Sequence, residues 1–531
     1  MKVSEFDRNL YAKTLSPALF LILFSLINTA VFNSVLAVFA WNHLAMNSIN
    51  GMITLFAVFL VVFSFTLHFF TLTFLVSKRL TKFFIVVVLL CNSAALYFMV
   101  TYQVILDKSM MGNLFNTNIE EASSYLSASL LLYILLLGAL PAYLFAKLKV
   151  KSTGKMKVTL LSSLLFLCTF LWLIIFSSTW LWFDEYGKQL GAKVLPWSYI
   201  ANSVRYQSKK MSEHKEAVLL PDGQFGADTG RQLVVLVIGE TARANNFAQY
   251  GYSRNTSPRL VQENAVALSD TSSCTSYTTG SMRCILSHKD SGSEFSTLYE
   301  PLPSYLSRHG VDVIWRSNNW GEPNLDVDTY ESATDLRPDC TDKHCQLDEV
   351  LLTNLSERVV QSKADKIFVA LHLKGSHGPN YFERYPEDME KFTPVCRSVE
   401  LSECTHEELI NAYDNSLVYT DYVLSRLIKT LKQTGLPALM LYISDHGESL
   451  GEYGLYLHGT PKAFAPSYQT QVPFFVWMSK SFRDRNHLFA RPHKQANSHS
   501  QSNIFHTVLG AFQLKSPVYR DDLNILREFA Q

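Results

Sequence analysis

The chain has 531 residues, of which 48% are hydrophobic and 18% are charged, and its formal net charge is +1. This balance, with no basic stripe or nucleic-acid motif in the sequence, argues against a nucleic-acid-binding protein. The average hides two unlike halves, because residues up to about 182 carry long apolar runs and the rest resembles a soluble globular protein.

Five apolar runs are long enough to cross a bilayer, which needs roughly 20 residues each. Five such runs in succession do not fit the core of a soluble domain, and the first is longer than the roughly 7–15 apolar residues of a cleaved signal peptide. The sequence therefore predicts an α-helical membrane domain of five transmembrane helices over residues 1–182, with the spans near 16–41, 53–75, 83–104, 125–145 and 158–181.

The charges of the connecting loops predict the orientation of these spans. Lys and Arg cluster before the first run, between the second and third, and between the fourth and fifth, whereas the other loops carry little net positive charge. The N-terminus is therefore predicted to be cytoplasmic, and five spans place all that follows on the opposite side. In a bacterial inner membrane, that side is the periplasm.

The loop after the third run carries three polar residues at a spacing of four, Asn113, Thr117 and Glu121. On a helix they would share one face. One interpretation is a solvated loop face, and the functional interpretation is a polar rim that holds a lipid headgroup. After the fifth run, residues 183–230 are predicted to form an interfacial connector with amphipathic helices.

From residue 231 to 531, strand-like runs alternate with helical ones, which predicts an α/β domain built from βαβ units. Four of the predicted strands, over 233–238, 311–315, 366–373 and 438–444, end in polar clusters. Ligands bind at the carboxyl ends of the strands in such sheets. The candidate residues at these ends are Glu240, Asn318, His377, Asp445, His446 and, in the loop after them, His458.

The carboxylates of Glu240 and Asp445 and the imidazole of the adjacent His446 are a donor set that suits Zn²⁺. A nucleophile is expected near them, because coordination to Zn²⁺ lowers the pKa of a hydroxyl. A helix that begins near Thr279 would also turn backbone N–H groups toward a phosphate. The chemistry alone does not choose among five hydroxyls, those of Thr275, Ser276, Thr278, Thr279 and Ser281.

The chain has eight cysteines. Cys91 and Cys168 lie in predicted spans and are expected to be free, buried thiols. An oxidising compartment favours local disulfides among the others. A zinc ribbon is the alternative, but no pair has the CxxC spacing. The expected pairs are Cys274 with Cys284, Cys340 with Cys345, and Cys396 with Cys404.

Five segments together resemble the phosphoethanolamine transferase family, which includes lipid A modifying enzymes and the mobile colistin-resistance proteins. The resemblance covers the whole chain and implies an alkaline-phosphatase/sulfatase-like catalytic domain on a five-helix membrane domain. The segments are VIGETARANNFAQYGYSRNTSPRL, SSCTSYTTGSMRC, GSHGPNYFERYP, NAYDNSLVYTDY and SDHGESLGEYGLYLHGTP.

The resemblance also implies roles for individual residues. It makes Thr278 the nucleophile and a zinc ligand, and it gives catalytic and substrate-binding roles to His377 and His458. One zinc ion is expected, with a second during turnover as an open alternative. The remaining implied zinc ligands are Glu240, Asp445 and His446, and the remaining implied substrate contacts are Asn113, Thr117, Glu121 and Asn318.

Two segments depart from the family pattern. The chain has TSYT after Cys274 where lipid A enzymes often have GTAT. It has SNNWGEPNLD from Ser317 where they often have a Gly-rich stretch with a substrate-facing lysine. These departures leave the metal site intact and put the acceptor in question.

The function implied is transfer of phosphoethanolamine from phosphatidylethanolamine to lipid A through a covalent threonine intermediate, with resistance to polymyxin and cationic peptides. A monomer among membrane lipids is expected. Transfer to Kdo or a core sugar, or a phosphodiesterase on the same scaffold, are the alternatives. A sulfatase is disfavoured because no C/S-x-P-x-R motif follows Cys274, and a lipoteichoic-type polymerase because of the cysteines. An inactive lipid-binding protein is disfavoured because every ligand position is filled.

Overall fold

The computed structural model describes residues 14–117, 119–175, 182–183, 185–213, 217–226, 230–289, 297–493 and 498–531. The chain divides into two compact units. The first comprises residues up to Phe115 together with Leu126–Ser208, and the second comprises Asn116–Tyr125 and Lys209–Gln531. The predicted limits of a connector at 183 and 230 stay a prediction.

The first unit contains the apolar helices that the sequence predicts. Within the described residues, four helices are long and apolar enough to cross a membrane, and a bent pair makes five if it is one span. The predicted membrane region is thus confirmed. The four helices are Ile49–Val76, Lys78–Thr101, Ala128–Lys147 and Lys155–Ile175, and the bent pair is Pro17–Phe32 with Ser34–His43. Shorter helices are Lys108–Asn116, Gly187–Lys193 and Trp197–Glu213.

The bend of 57° in the first pair lies at a π-helical turn that contacts a distant part of the chain. A π-helical turn at Asn28–Phe32 ends at Asn33, and the amides of Asn28 and Asn33 both donate to the carbonyl of Leu195, at 3.1 and 2.9 Å. Helices kink where a π-turn or an inserted polar group interrupts the regular ladder. Asn92 joins this buried network by donating to Asn28 at 2.8 Å.

The cysteines are confirmed in part. All three expected disulfides are formed, Cys274–Cys284, Cys340–Cys345 and Cys396–Cys404. Cys91 and Cys168 are free, as expected, but the prediction that they are buried is wrong. They lie on outward faces of their helices, where a bilayer rather than other protein surrounds a span.

The second unit is built on a seven-stranded sheet. Its strands in chain order are β1 Gln232–Gly239, β2 Val266–Ala267, β3 Asp312–Ser317, β4 Thr329–Ser332, β5 Lys366–His372, β6 Ala438–Ser444 and β7 Phe474–Met478. Their order across the sheet is β2-β7-β6-β1-β5-β3-β4. The strands from β6 to β4 are parallel, and β7 and β2 run antiparallel to their neighbours.

The central strand β1 is buried along its whole length. A strand in the middle of a parallel sheet is covered on both faces, which explains its continuous run of Val, Leu and Ile. The predicted strands over 233–238, 311–315, 366–373 and 438–444 correspond to β1, β3, β5 and β6 within two residues. The α/β prediction is therefore confirmed.

The helices of this unit include one long element, His406–Gln433, which begins with a capping box made by Thr405 and Glu408. Each side chain in such a box accepts a hydrogen bond from the other residue's backbone N–H. The other helices are Ile119–Ser124, Pro258–Gln262, Thr278–Ile285, Leu302–Arg308, Ala333–Leu336, Leu355–Gln361, Ser467–Thr470, Lys480–Asn486 and Asn503–Phe512. Three two-stranded pairs join Gln224–Phe225 to Leu514–Lys515, Ser449–Leu450 to Tyr456–Leu457, and Thr271–Ser272 to His499–Ser500.

Candidate metal centre

Two neighbouring strands deliver three metal-ligating side chains to one point. Gly239 at the end of β1 is paired with Ser444 at the end of β6. Glu240 follows the first strand, and Asp445 and His446 follow the second. The backbone N–H of Asp445 donates to the carbonyl of Gly239 at 2.9 Å, so both turns begin at the same level. Their ligand atoms lie within 4.8 Å of one another.

The cluster is wholly buried and tightly spaced. Glu240, Asp445 and His446 have no exposed surface. His446 Nε2 lies 3.4 Å from Glu240 Oε1 and 3.3 Å from Asp445 Oδ2. His446 Nδ1 lies 2.9 Å from the carbonyl of Gly447, which fixes the proton on Nδ1 and leaves Nε2 with its lone pair toward the carboxylates.

The electrostatics of the cluster fit a bound cation. Burial, together with the charge of Glu240, raises the pKa of Asp445 well above its usual range. Burial lowers the pKa of His446 to about 4. Asp445 Oδ2 is buried without a hydrogen-bond donor. Two carboxylates this close and this buried need a positive charge between them, and two acidic oxygens with one imidazole nitrogen suit Zn²⁺.

Thr278 brings a hydroxyl to this cluster. It is the first residue of the helix Thr278–Ile285, and its Oγ1 lies 3.3 Å from Glu240 Oε2 and 3.4 Å from His446 Nε2. The Cys274–Cys284 disulfide closes the segment that carries it. The helix N-terminus beside it offers backbone N–H groups to an anion.

Three of the other candidate hydroxyls have different partners. Thr275 Oγ1 donates to the carbonyl of Tyr277 at 2.8 Å and lies 2.9 Å from Ser281 Oγ. Ser276 Oγ donates to the carbonyl of Thr460. These bonds hold the loop, whereas Thr278 faces the acidic cluster.

Two further histidines, His377 and His458, lie on the same side of the cluster as the His446 ring. The His458 ring centroid lies 4.3 Å from that of His446 and 5.5 Å from that of His377. His458 Nδ1 is 3.3 Å from Glu448 Oε1. Glu448 is fully buried, and burial raises its pKa to about 8. The structure therefore groups His377 and His458 with the metal centre.

The two asparagines after β3 point in different directions. Asn318 Nδ2 donates to Asp348 Oδ1 at 2.8 Å. Asn319 Nδ2 donates to Glu240 Oε2 at 2.8 Å and to the carbonyl of Leu373 at 3.0 Å. The substrate contact predicted for Asn318 stays a prediction, and the amide that contacts the metal cluster is that of Asn319.

The predicted headgroup residues do not lie on one helix. Asn113 belongs to the helix Lys108–Asn116, and Thr117 follows its end. Glu121 lies in the separate helix Ile119–Ser124, and its side chain is outside the described residues. The spacing of four therefore does not translate into a shared helical face, and the headgroup role stays a prediction.

The motif NAYDNSLVYTDY supports the centre from behind. It lies in the helix His406–Gln433, whose Tyr413 hydroxyl donates to the carbonyl of Thr241 at 2.7 Å, next to Glu240. Ser416 Oγ donates to Ser376 Oγ at 2.8 Å, next to His377. One helix thus positions the turns after β1 and β5 together.

The sequence assigned no specific role to three residues that lie at or beside the centre, Glu448, Asn319 and Thr241. Glu448 stands inside SDHGES and Asn319 beside Asn318, so both were visible as polar residues at strand ends. Thr241 Oγ1 donates to Glu240 Oε1 at 2.5 Å. Its position directly after the ligand was the available signal.

Gly375 offers a first test of this geometry. Its φ is +51°, and a Cβ there would lie 2.7 Å from the carbonyl oxygen of Glu240. We expect Gly375→Ala to destabilise the protein by about 1–3 kcal/mol and to lower its metal content, because the residue after β1 must shift. Gly454→Ala is the control, since Gly454 also has a positive φ, +74°, but nothing lies within 4 Å of its Cβ position. Equal changes in melting temperature and metal content for both variants would contradict the close approach to Glu240.

Two family models match two different parts of the chain. The sulfatase family model matches residues 232–514, which is the sheet with its metal centre. The chain therefore has an alkaline-phosphatase/sulfatase-like catalytic domain. The family model for phosphoethanolamine transferase EptA/EptB matches residues 64–211.

Individual relatives extend these matches over most of the chain. Phosphoethanolamine transferase EptA of Helicobacter pylori is 39% identical over 464 residues, which is 85% of this chain and 86% of that protein. Phosphatidylethanolamine transferase Mcr-1 of Escherichia coli is 34% identical over 421 residues, covering 75% of this chain and 78% of that protein. The solved structure of the integral membrane protein lipooligosaccharide phosphoethanolamine transferase A from Neisseria meningitidis superimposes with a TM-score of 0.88 at 29% identity, over 98% of this chain and all (100%) of that one. The chain belongs to the phosphoethanolamine transferase family.

Proposed function

We propose that this protein transfers phosphoethanolamine from phosphatidylethanolamine to lipid A, with Thr278 as the residue that carries the group between them. The observation that supports this most directly is the Thr278 hydroxyl at a helix N-terminus, 3.3 Å from Glu240 and 3.4 Å from His446. The donor is supported by the name of the Mcr-1 relative, and a lipopolysaccharide-type acceptor by the name of the Neisseria meningitidis relative.

Glu240, Thr278, Asp445 and His446 would hold one zinc ion. The fit rests on the unpartnered, buried Asp445 Oδ2 and on the burial of two carboxylates together. A bound zinc ion supplies positive charge that lowers the pKa of a hydroxyl and stabilises charge on phosphate oxygens.

The protein's own residues then perform two displacements. Thr278 Oγ1 forms a bond to the phosphorus of the donor while the bond to the diacylglycerol oxygen breaks, which leaves phosphoethanolamine on Thr278. His377 and His458 would bind the phosphate oxygens, and one of them would take the proton of the Thr278 hydroxyl and give it to the diacylglycerol oxygen. An acceptor phosphate oxygen then attacks the same phosphorus while the bond to Thr278 Oγ1 breaks, and the proton that the acceptor phosphate loses returns through the histidine to Thr278 Oγ1.

The location follows from the same proposal. The spans lie in a bacterial inner membrane with the N-terminus in the cytoplasm and the catalytic domain in the periplasm. The three disulfides support this, because disulfides persist in oxidising compartments. Asn113, Thr117 and Glu121 would contact the lipid headgroup, and the protein would act as a monomer.

Mass spectrometry of lipid A and core oligosaccharide from cells expressing the protein tests this function. We expect a phosphoethanolamine-sized mass on lipid A with the wild type and not with Thr278→Ala. The cells that express the wild type should also become less sensitive to polymyxin, because an ammonium-bearing group is then attached to a lipid phosphate. If phosphoethanolamine is added to Kdo or core sugars instead, one of these is the acceptor in place of lipid A. If it is added to no lipopolysaccharide component, the result favours a phosphodiesterase.

A further inference from the structure

A pocket of about 380 Å³ lies beside the metal centre, between the ends of β3 and β4. Small-molecule sites usually have volumes of a few hundred cubic ångströms. Its wall is formed by nine residues of the segment 319–330, among them Asn319, Trp320, Glu322, Leu325, Val327 and Tyr330, and Asp326 and Asp328 are not part of it.

The pocket is directly next to the reacting group of the proposed mechanism. Asn319 in its wall donates to Glu240. Gly321 in its wall packs so closely on the catalytic helix that an added Cβ would lie 3.2 Å from the Thr279 methyl and 3.4 Å from the Thr278 methyl. A group attached to a phosphate at Thr278 therefore has this pocket as a neighbour.

The wall carries one carboxylate and no lysine or arginine among its residues, all of which are described. The Glu322 side chain is 11% exposed, and its Oε1 accepts a hydrogen bond from the Tyr330 hydroxyl. Its Oε2 is buried, without a hydrogen-bond partner, and lies 3.5 Å from His372 Nδ1. Burial alone would raise the pKa of Glu322, but the adjacent His372 and the hydrogen bond from Tyr330 lower that pKa to about 2. The wall is therefore negatively charged at neutral pH.

We propose that this pocket binds the primary ammonium of the ethanolamine headgroup, with Glu322 supplying the charge and Trp320 and Tyr330 supplying aromatic surface. This rests on the proposed function, because the ammonium belongs to the group that is transferred. A carboxylate and aromatic faces both attract an alkylammonium ion, most strongly where water is partly excluded. The ammonium lies only two carbons beyond the phosphate oxygen, so one ligand can occupy both sites.

The test compares two donor lipids with the full-length protein. Vesicles carry either phosphatidylethanolamine or phosphatidylpropanol, in which a methyl group replaces the ammonium, and diacylglycerol release is measured. We expect the wild type to prefer phosphatidylethanolamine in kcat/KM, and Glu322→Gln to reduce this preference about 10-fold. The reduction should come from phosphatidylethanolamine alone, because phosphatidylpropanol makes no use of the charge.

Asp326→Asn is the matched control, since Asp326 is exposed in the same segment and does not line the pocket. It should keep the wild-type preference. If Glu322→Gln loses turnover of both lipids through misfolding, Trp320→Leu decides the question and should also reduce the preference. A preference that survives in a folded Glu322 or Trp320 variant, or that the wild type lacks, would overturn the ammonium pocket. No diacylglycerol release from either lipid with the wild type would instead refute the proposed function.

Discussion

Thr278→Ala should lower diacylglycerol release from phosphatidylethanolamine vesicles by about 1,000-fold or more, because it removes the nucleophile of a covalent mechanism. Without an acceptor, the wild type should accumulate a phosphoethanolamine-sized mass on the segment that contains Thr278, detected by mass spectrometry of the denatured protein. The variant should show no such mass. Thr278 is 4% exposed, and alanine fits the space without overpacking, so the variant is expected to fold.

Two further variants test whether the effect is specific to the Thr278 hydroxyl. Thr279→Ala removes the neighbouring hydroxyl on the same helix and should keep the adduct. Thr278→Ser restores a hydroxyl at the same backbone position and should recover part of the activity. An adduct in Thr278→Ala, or its loss in Thr279→Ala alone, would move the nucleophile to another hydroxyl of the 275–281 segment.

The three candidate metal ligands were predictable because they follow regular strands. β1 and β6 are continuous apolar runs, and such runs identify buried parallel strands without any long-range information. Once both are placed in one sheet, Glu240, Asp445 and His446 must lie at its carboxyl edge. Their meeting in one candidate metal site therefore followed from residue type and position together.

The choice between adjacent polar residues was not predictable in the same way. Asn318 is turned away from the metal cluster by Asp348, and Asn319 toward it by Glu240. Both partners are distant in sequence, so two neighbouring asparagines look equivalent until the chain is folded. The same holds for the hydroxyls after Cys274, because the partner of Ser276 is the carbonyl of Thr460.

The spacing of residues along the sequence did not show where a helix bends or where it ends. The first span bends at Asn33, whose side-chain amide donates to the carbonyl of Leu195, 162 positions further along the chain. The spacing of Asn113, Thr117 and Glu121 would place them on one face if they shared a helix, but the helix ends at Asn116. Periodicity indicates which residues would share a face of a regular helix, but it does not indicate the residue at which the helix ends.

Removal of the metal should destabilise the wild type, and this effect should depend on Asp445. We expect about one zinc ion per chain by elemental analysis, and a lower melting temperature after chelation that added Zn²⁺ restores. An ion at a concentration of about 1,000 times its Kd stabilises the native state by about 4 kcal/mol. Chelation also leaves Glu240 and Asp445 buried side by side, and Asp445 must then take up a proton, which adds to the cost of folding at neutral pH.

Asp445→Asn separates these two contributions. The variant should bind less than a stoichiometric amount of zinc, so chelation should change its melting temperature little. The chelated variant should also melt above the chelated wild type, because its neutral amide avoids the cost of burying Asp445 beside Glu240, where the carboxyl must take up a proton at neutral pH. Asp484→Asn is the control, since Asp484 is 60% exposed in a surface ion pair with Lys480, and it should respond to chelation as the wild type does. A wild type that holds no zinc, or whose melting temperature ignores chelation, would remove the metal from the proposed mechanism, because the buried carboxylates would then be stabilised by protonation alone.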